Sequence, residues 1–289
     1  MFSLIFKVSS SFLAYNPYYV IVTNIELDHT DYYKDLNDVM DAFTTFVNKA
    51  RKGVIMCGDD LNNRKIKTNK EVIYYGFNDN NDVICKNIKT ENDKTIADVY
   101  IKGEYYDTYT FPFVGDHLLL NALSVITVCY LENIDKTEVK NQVSKIEHAK
   151  RRFIEEKVKS NILIDDYAHH PTEVKVTLLA ARKKYPDRYL VAIFKAHTKS
   201  RVKYFHKEFA DALSIADKAY VMDIGEDRKE TGYDDVSAYD IIKDIKDGEH
   251  LTLDEVDKLT KYKNAVLVFM SSKDIYVLED KYKELVNKD

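Results

Sequence analysis

The stretch that decides the fold of this chain is ILIDDYAHHPTEV, residues 162–174. It opens with an apolar run, continues with two acids and two histidines, and leads into a segment with helical periodicity. A strand that ends in polar residues directly before a helix is typical of α/β proteins, in which ligands bind at the carboxyl ends of strands. The free N–H groups at the start of such a helix also attract anions. This stretch therefore predicts an α/β fold with a polar site at a strand end.

Apolar runs and helix-periodic segments alternate outward from this stretch in both directions, as they do in α/β folds. Downstream we predict helices at 172–184 and 203–215 and strands at 190–194, 219–222 and 265–269. Upstream we predict a strand buried on both faces, then a helix and a second strand, at 18–23, 35–47 and 54–57. The order of these segments predicts a mainly parallel sheet in each half of the chain.

The middle of the chain has a different pattern. Residues 71–113 alternate short β-rich runs with Asn, Asp and Gly turns, which predicts antiparallel hairpins. A second α/β series begins near residue 150. We therefore expect two domains, at 1–149 and 150–289.

The composition limits the class of protein. The 289 residues are 45% hydrophobic and 31% charged, which suits a globular protein of two domains. A formal charge of −5 without a long basic run argues against a nucleic-acid binder. Three widely spaced cysteines without a CxxC pair favour neither disulfides nor zinc, and indicate a reducing cytoplasm. The apolar opening, residues 1–6, is too short to span a membrane, so we predict either a buried strand or an irregular start of the chain there.

Four polar clusters follow predicted strands or open predicted helices, at 23–29, 115–122, 165–172 and 195–201. Two acids and two histidines at one strand end make 165–172 the strongest candidate site. For 195–201, phosphate binding and a solvated loop explain the basic and hydroxyl side chains equally well. Taken alone, 23–29 and 115–122 are better explained by capping and packing, although Glu26, Asp28 and His29 stand where a metal or phosphate would bind.

Taken together, these clusters resemble the Mur ligase family in its alanine-adding branch. The resemblance rests on TNIELDH (23–29), GDHLLLNA (115–122), KRRF (150–153), DDYAHHPTEV (165–174) and HTKSR (197–201), and it runs over nearly the whole chain. DDYAHHP is highly specific for this branch, whereas the other motifs are shared more widely within the family. The resemblance implies a partial central ATP-binding domain followed by a Rossmann-like C-terminal ligase domain.

The resemblance also implies a reaction, with ATP and Mg²⁺ as cofactors. The γ-phosphoryl group of ATP passes to the lactyl carboxylate of UDP-N-acetylmuramate, and the amine of L-alanine attacks the resulting acyl phosphate. Because the carboxylate and ATP repel each other, Mg²⁺ and basic side chains are needed to offset their charge. By resemblance, the site residues are Glu26 for Mg²⁺, His117 and Asn121 for adenine, Arg152 for the phosphates, Asp166 for the ribose, and His169 and Arg201 for the reacting phosphate and substrate carboxylate. Arg152, His169 and Arg201 are thus the expected catalytic residues.

The chain departs from the family pattern in two ways. Complete members carry a nucleotide-sugar domain and then a glycine-rich loop that ends in Gly-Lys-Thr or Gly-Lys-Ser, whereas this sequence contains no Gly-Lys dipeptide. We therefore expect the sequence to begin inside the central domain and to bind ATP weakly by itself. This branch also usually places a second metal-ligating histidine late in the helix after TNIELDH, where this chain has Asn48, and asparagine is a weak replacement for an imidazole.

Two hypotheses remain open on the sequence. The first is a ligase polypeptide that a separate N-terminal portion completes, so that supplying this portion restores alanine-dependent ATP hydrolysis. The second is a non-catalytic remnant that keeps weak nucleotide contacts. A metal hydrolase is less well supported, because the histidines and acids lack a compact ligand spacing such as HExxH.

Overall fold

The computed structural model describes residues 11–30, 32–146, 150–225 and 230–288. The opening segment 1–6, predicted to be either a buried strand or an irregular start, lies outside the described residues. The predicted domain boundary adjoins 147–149, which lie outside them as well. The chain divides into two compact units, one made of Met1–Phe113 and His117–Ile146 and the other of Val114–Asp116 and Glu147–Asp289. Among the described residues, no helix combines the length and the apolar character needed to cross a membrane.

The first unit is built on a six-stranded mixed sheet in the order β1-β2-β3-β4-β5-β6. Its strands are β1 (Tyr19–Val22), β2 (Gly53–Cys57), β3 (Val72–Gly76), β4 (Val83–Glu91), β5 (Lys94–Ile101) and β6 (Glu104–Phe111). Its helices are α1 (Leu36–Val47), α2 (Asp116–Leu131) and α3 (Lys136–Val143), with short 3-10 turns at Ser11–Ala14 and Asn63–Lys65. Strands β1 to β4 run parallel, and β4, β5 and β6 form an antiparallel meander.

Local sequence explains most of these elements. Asp35 caps α1, since its side chain accepts hydrogen bonds from the amides of Asn37 and Asp38 at 2.7 and 3.1 Å. Along β5 every second residue is buried, as expected for a strand with one face on a core. That core is shared with α2, whose Leu119 and Leu123 are at most 1% exposed.

Two predictions for this unit are wrong in part. The first strand was predicted to be buried on both faces, but Ile21 of β1 is 42% exposed because β1 lies at the edge of the described sheet. Within 71–113, only β4 to β6 form antiparallel hairpins. Strand β3 instead runs parallel to β2, with Val72 opposite Val54. Short β-rich runs do not reveal strand direction, because pairing partners are chosen by the tertiary structure.

The second unit contains a second six-stranded sheet, in the order β11-β10-β9-β12-β8-β7. Its strands are β7 (Ile154–Val158), β8 (Asn161–Asp166), β9 (Tyr189–Lys195), β10 (Lys218–Met222), β11 (Gly248–His250) and β12 (Ala265–Met270). Its helices are α4 (Pro171–Lys184), α5 (Lys199–Leu213), α6 (Tyr239–Ile242) and α7 (Tyr276–Lys288), with a 3-10 segment at Leu253–Leu259. All neighbouring strands are parallel except β7, which pairs antiparallel with β8. The predicted α/β fold is confirmed.

Helices cover both faces of this second sheet. On one face α4, α5 and α6 pack against alternate residues of the strands, with the rings of Phe194 and Phe209 4.9 Å apart. On the other face α7 and the 3-10 segment cover Leu267, Phe269 and their neighbours. The central strands are therefore buried on both sides, which explains why their sequences are continuous apolar runs.

The strand order brings distant loops to one edge of the sheet. Strand β12 lies between β9 and β8, and Met270 near its end is opposite both Asp166 and Phe194. Since the strands are parallel, the segments that follow β8, β9 and β12 all leave the sheet at its carboxyl edge. This edge is where α/β folds bind ligands.

Candidate functional site

Asp166 anchors the carboxyl edge of the second unit. It is the last residue of β8 and is only 5% exposed. Its two carboxylate oxygens accept hydrogen bonds from the backbone amides of Phe153 and Ala168, both at 2.8 Å. Burial raises the pKa of Asp166 above its ordinary value, against the opposing effect of these two amides. Both residues of the pair Asp165 and Asp166 thus belong to the strand rather than to the loop after it.

Arg151 joins two strand ends at this edge. Its guanidinium lies 3.2 Å from a carboxylate oxygen of Asp165, near the end of β8, and donates to the carbonyl of Ser271, after β12, at 2.7 Å. The backbone of both Arg151 and Phe153 is left-handed, with φ of 56° and 54°. A bulky residue such as phenylalanine rarely adopts this conformation, so the contacts of the KRRF segment hold it in place. Arg152 was the predicted site residue of this motif, and the contacts of Arg151 were not predicted from the sequence.

His169 and Arg152 are connected through Glu173, in the first turn of α4. The Nδ1 atom of His169 lies 3.0 Å from a carboxylate oxygen of Glu173 and 2.9 Å from the carbonyl oxygen of Tyr167. The guanidinium of Arg152 lies 3.9 Å from the other oxygen of Glu173, and it also sits over the Tyr167 ring. The structure therefore brings two predicted site residues together around a carboxylate that the sequence analysis did not assign.

The spacing of the motif could have identified Glu173. His170 is the N-cap of α4 and Glu173 is the third residue of the helix, so the two form a capping box. The carboxylate of Glu173 accepts from the amides of His169 and His170 at 2.9 and 3.2 Å. An acid three residues after an N-cap is a known sequence signal, and here it also places a carboxylate beside an imidazole.

The contacts of Glu173 predict how the stability of the fold depends on pH. Contact with His169 and the two amides lowers the pKa of Glu173 to about 2, against the opposing effect of its burial. A lowered pKa stabilises the fold above the ordinary value near 4.5 and loses that contribution as the pH falls toward 2. Because 34% of the side chain is exposed, we expect Glu173→Gln to cost only about 1–2 kcal/mol at pH 7, and less at pH 3.

Denaturant unfolding at pH 7, 4.5 and 3 would measure this difference. Glu208→Gln, which changes an exposed carboxylate of α5, is the matched control and should not show the same pH trend. An equal loss at all three pH values would contradict the linkage to the carboxylate charge.

The cluster after β9 opens α5. Thr198 is the N-cap of this helix, and its hydroxyl accepts from the amide of Arg201 at 3.4 Å. The carboxylate of Glu230 accepts from the amides of Lys199 and Ser200 at 2.6 and 3.3 Å. The start of α5 therefore holds an anionic group, as helix N-termini do. Arg201 lies in this first turn and is only 6% exposed.

The clusters after β8 and β9 approach each other. The imidazole rings of His169 and His197 have centroids 6.5 Å apart and are inclined by 69°. The ammonium of Lys195, at the end of β9, pairs with Asp274, after β12, at 2.7 Å. The three neighbouring strand ends thus form one polar edge, which contains Arg152, Asp166, His169 and Arg201.

The first unit has its own polar carboxyl edge, formed by the segments after β1, β2 and β3. Glu26 lies after β1, and its carboxylate accepts from the side-chain amide of Asn24 at 3.2 Å. Burial raises the pKa of Asp60, after β2, and the charge of Glu26 adds to this effect. Asp28 and His29 belong to the same segment, with their side chains 3.8 Å apart. Glu26, Asp28 and His29 therefore lie at one edge, as expected from the sequence.

Asn63 holds this edge together and was missed by the sequence analysis. It is fully buried, and its side-chain amide nitrogen donates to the carbonyls of Val22, Thr23 and Cys57 at 3.3, 3.3 and 2.9 Å. Its own backbone amide donates to Asp60 at 2.7 Å. A single side chain thus links the ends of β1 and β2. No pattern of apolar residues reveals such a contact, because its partners are backbone carbonyls far along the chain.

Asn48 lies at the opposite edge of this sheet. It caps the end of α1, and its side chain bonds to the carbonyl of Lys67 at 3.2 Å and to the hydroxyl of Thr68 at 2.9 Å, shortly before β3 begins. In a βαβ unit the helix returns the chain to the amino ends of the strands. Asn48, which stands where the family usually places a second metal-ligating histidine, therefore does not share the edge of Glu26 in this structure. His29 is the histidine that shares an edge with Glu26.

His117 and Asn121 lie one turn apart in α2. Asn121 is exposed and His117 is half-buried, while Leu119, Leu123 and Ile126 of the same helix are buried in the core. The predicted pair therefore occupies one polar side of the helix. The side-chain amide of Asn121 is therefore exposed at the surface of the first unit.

The described residues fit Mg²⁺ better than a metal held by protein alone. Among them, no three His, Cys, Asp or Glu side chains converge on one point. Mg²⁺ keeps several waters and is commonly bound by one or two carboxylates together with substrate phosphates. Glu26 at a carboxyl edge suits this kind of site.

Profiles of known protein domains match both units of the chain. The profile of the Mur ligase middle domain matches residues 5–129, and that of the Mur ligase glutamate ligase domain matches residues 151–278. Together the two matches take in most of the chain.

Solved structures share the fold. The UDP-N-acetylmuramate-alanine ligase MurC of Thermotoga maritima matches 96% of this chain with 61% of its own, at 22% identity and a TM-score of 0.75. A MurF ligase of the same organism, in complex with ADP, matches 94% with 63% of its own, at 18% identity and a TM-score of 0.75. A pseudomurein peptide ligase type C of Methanothermus fervidus matches 94% with 63% of its own, at 18% identity and a TM-score of 0.71.

The chain thus spans 61% to 63% of the length of these relatives. Identities of this size show a common fold and do not single out one member. The two domain profiles, by contrast, are both those of Mur ligase domains. This chain belongs to the Mur ligase family, of which it contains the middle domain and the C-terminal, glutamate ligase domain.

Proposed function

We propose that the complete protein containing this chain is a cytoplasmic, ATP-dependent ligase that joins L-alanine to UDP-N-acetylmuramate through an acyl phosphate, in peptidoglycan precursor synthesis. The observation that carries the proposal is the polar carboxyl edge of the second unit, where His169, His197 and the Glu173 carboxylate lie close together. The choice of alanine rests on the DDYAHHPTEV motif at this edge.

The second unit would supply most of the side chains that contact the reacting phosphate and carboxylate. The Arg152 side chain is 49% exposed and would bind phosphate oxygens. Arg201 and His169 would contact the reacting phosphate and the substrate carboxylate. The oxygens of Asp166 already accept two backbone amides, and a ribose hydroxyl would use their remaining lone pairs.

The first unit would contribute to nucleotide and metal binding. Glu26 would hold Mg²⁺, with Asp28 and His29 beside it, and the polar side of α2 would bind adenine through His117 and Asn121. When bound, Mg²⁺ offsets the charge of the phosphates. The residues of the protein would orient the nucleotide and would hold the carboxylate and the phosphate in contact despite their repulsion.

An activity assay on the complete protein tests the proposed reaction. ADP formation should require ATP, UDP-N-acetylmuramate and an amino acid together, and alanine should support it better than glycine or serine. Preference for a different amino acid would contradict the alanine assignment. ADP formation that ignores both substrates, or none by a well-folded protein, would contradict the ligase itself.

A second prediction concerns the nucleotide contacts of the first unit. Calorimetry with Mg·ATP on the 289-residue chain should show saturable binding, which Asn121→Ala weakens at least about tenfold through loss of hydrogen bonds worth roughly 1.5 kcal/mol. The matched control is Asn141→Ala, the same change at an exposed position of α3, which should leave binding unchanged. Binding that Asn121→Ala does not alter would contradict the adenine assignment. Absence of binding by the folded chain would instead favour a remnant without nucleotide contacts.

A further inference from the structure

The contacts of His169 define which of its nitrogens carries a proton. Nδ1 lies 2.9 Å from the carbonyl oxygen of Tyr167 and 3.0 Å from a carboxylate oxygen of Glu173. A carbonyl and an ionised carboxylate can only accept hydrogen bonds. When the ring is neutral, its proton therefore lies on Nδ1, and Nε2 carries the lone pair. A paired carboxylate that selects one histidine tautomer is a recurring arrangement in enzymes.

Glu173 is itself held in place. One of its oxygens accepts from the amides of His169 and His170, and the other faces the guanidinium of Arg152 at 3.9 Å. Its pKa, lowered to about 2, keeps it ionised throughout the neutral range. The capping box therefore fixes a negative charge beside Nδ1 at the start of α4.

The ring of His169 lies at the polar edge, next to the rings of Tyr167 and His197. The ring packs edge-on against Tyr167, with centroids 5.2 Å apart, and faces His197 at 6.5 Å. Glu173 contacts His169 at 3.0 Å, and Arg152 in turn lies 3.9 Å from Glu173. The imidazole is thus oriented by protein contacts on its Nδ1 side, at an edge where substrates of α/β proteins bind.

We propose that Glu173 is a positioning residue that fixes the Nδ1-protonated form of His169, so that Nε2 accepts the proton of the incoming amino acid's amine. This inference rests on the proposed ligase function. The amine nitrogen forms the new C–N bond to the acyl carbon, the C–O bond to phosphate breaks, and the phosphate leaves with the electron pair. The proton of the amine passes to Nε2, and Glu173 stabilises the imidazolium that forms.

Glu173→Gln is the discriminating variant, because its amide oxygen can still accept from the two backbone amides while the charge is lost. Turnover of the complete protein with alanine should fall about 100-fold, the lower range for loss of general-base assistance. Hydroxylamine is uncharged at neutral pH and attacks acyl phosphates with little help from a base. Turnover with hydroxylamine in place of alanine should therefore change little in the same variant.

Two controls separate positioning from folding. Glu208→Gln, on the exposed side of α5, should leave both rates unchanged. Nitrogen-15 NMR of the 289-residue chain should show His169 in the Nδ1-protonated form, and a larger share of the Nε2-protonated form in Glu173→Ala, which removes the accepting oxygen that Glu173→Gln keeps.

The outcomes are distinct. Equal loss with alanine and hydroxylamine would mean a merely structural role, and full alanine turnover in Glu173→Gln would overturn the proposal outright. If the wild-type protein turned over neither nucleophile, the ligase function would fail and the role of Nε2 with it. The NMR signal would in that case still show whether Glu173 selects the tautomer.

Discussion

Replacing Asn63 with aspartate is expected to destabilise the first unit by about 3–5 kcal/mol, the cost of leaving a buried charge without a partner. The side chain is fully buried, and its amide nitrogen donates to three backbone carbonyls at the ends of β1 and β2. A carboxylate of the same shape would place a negative charge against these three oxygens. Denaturant unfolding of wild type and variant, followed by circular dichroism, would measure the loss.

The same substitution at Asn80 provides the matched control. Asn80 is exposed, and its side-chain oxygen already accepts from Arg64 at 3.1 Å, so Asn80→Asp should be neutral or slightly stabilising. The loss in Asn63→Asp should also shrink at acidic pH, because a protonated carboxyl can donate one hydrogen bond. A cost below about 1 kcal/mol at neutral pH would show that the three carbonyl contacts do not hold the strand ends together.

Asp166→Ala is expected to destabilise the second unit by about 2–5 kcal/mol, since each buried amide left without a partner costs about 1–3 kcal/mol. The amides concerned belong to Phe153 and Ala168, and the first of these residues has a left-handed backbone. Loss of the carboxylate therefore removes a contact that holds a strained turn. Thermal and denaturant unfolding of the variant would give the magnitude.

Two further variants test whether loss of the two amide contacts causes the destabilisation. Asp166→Asn keeps one accepting oxygen and should fall between wild type and Asp166→Ala. Asp211→Ala, at an exposed position of α5, should change stability little. If Asp166→Ala unfolded like the wild type, the two amide contacts would not stabilise the turn, and a role of Asp166 in ligand binding alone would be the better explanation.

The sequence predicted the secondary structure of the second unit well because its signals are local. The apolar run 190–194 lies within β9, and the predicted helix 172–184 begins one residue after α4 does. Strands buried on both faces and helices with caps carry their signals in neighbouring residues. Strand β3 was assigned to a hairpin because a short β-rich run has no signal for its direction.

The sequence predicted which acids and histidines lie at the carboxyl edge, but it did not predict the contacts that connect them. The acids and histidines of 165–172 and 195–201 lie at one edge, where parallel strands place them. Glu173 carried a local capping signal that would have drawn attention to it. Arg151 and Asn63 carried none, because their partners lie at Ser271 and at Val22, more than a hundred and about forty residues away along the chain.

The sequence by itself determined the order of helices and strands, the polar strand ends and the family of the chain, because periodicity, caps and motifs are properties of adjacent residues. Only the tertiary structure decided that β12 lies between β8 and β9, that Asn48 and Glu26 lie at opposite edges, and that Glu173 faces Nδ1 of His169. These depend on strand pairing and side-chain reach between segments far apart in the chain. Such contacts form only when the strands of the whole sheet have paired in their final order, and no local pattern of residues encodes that order.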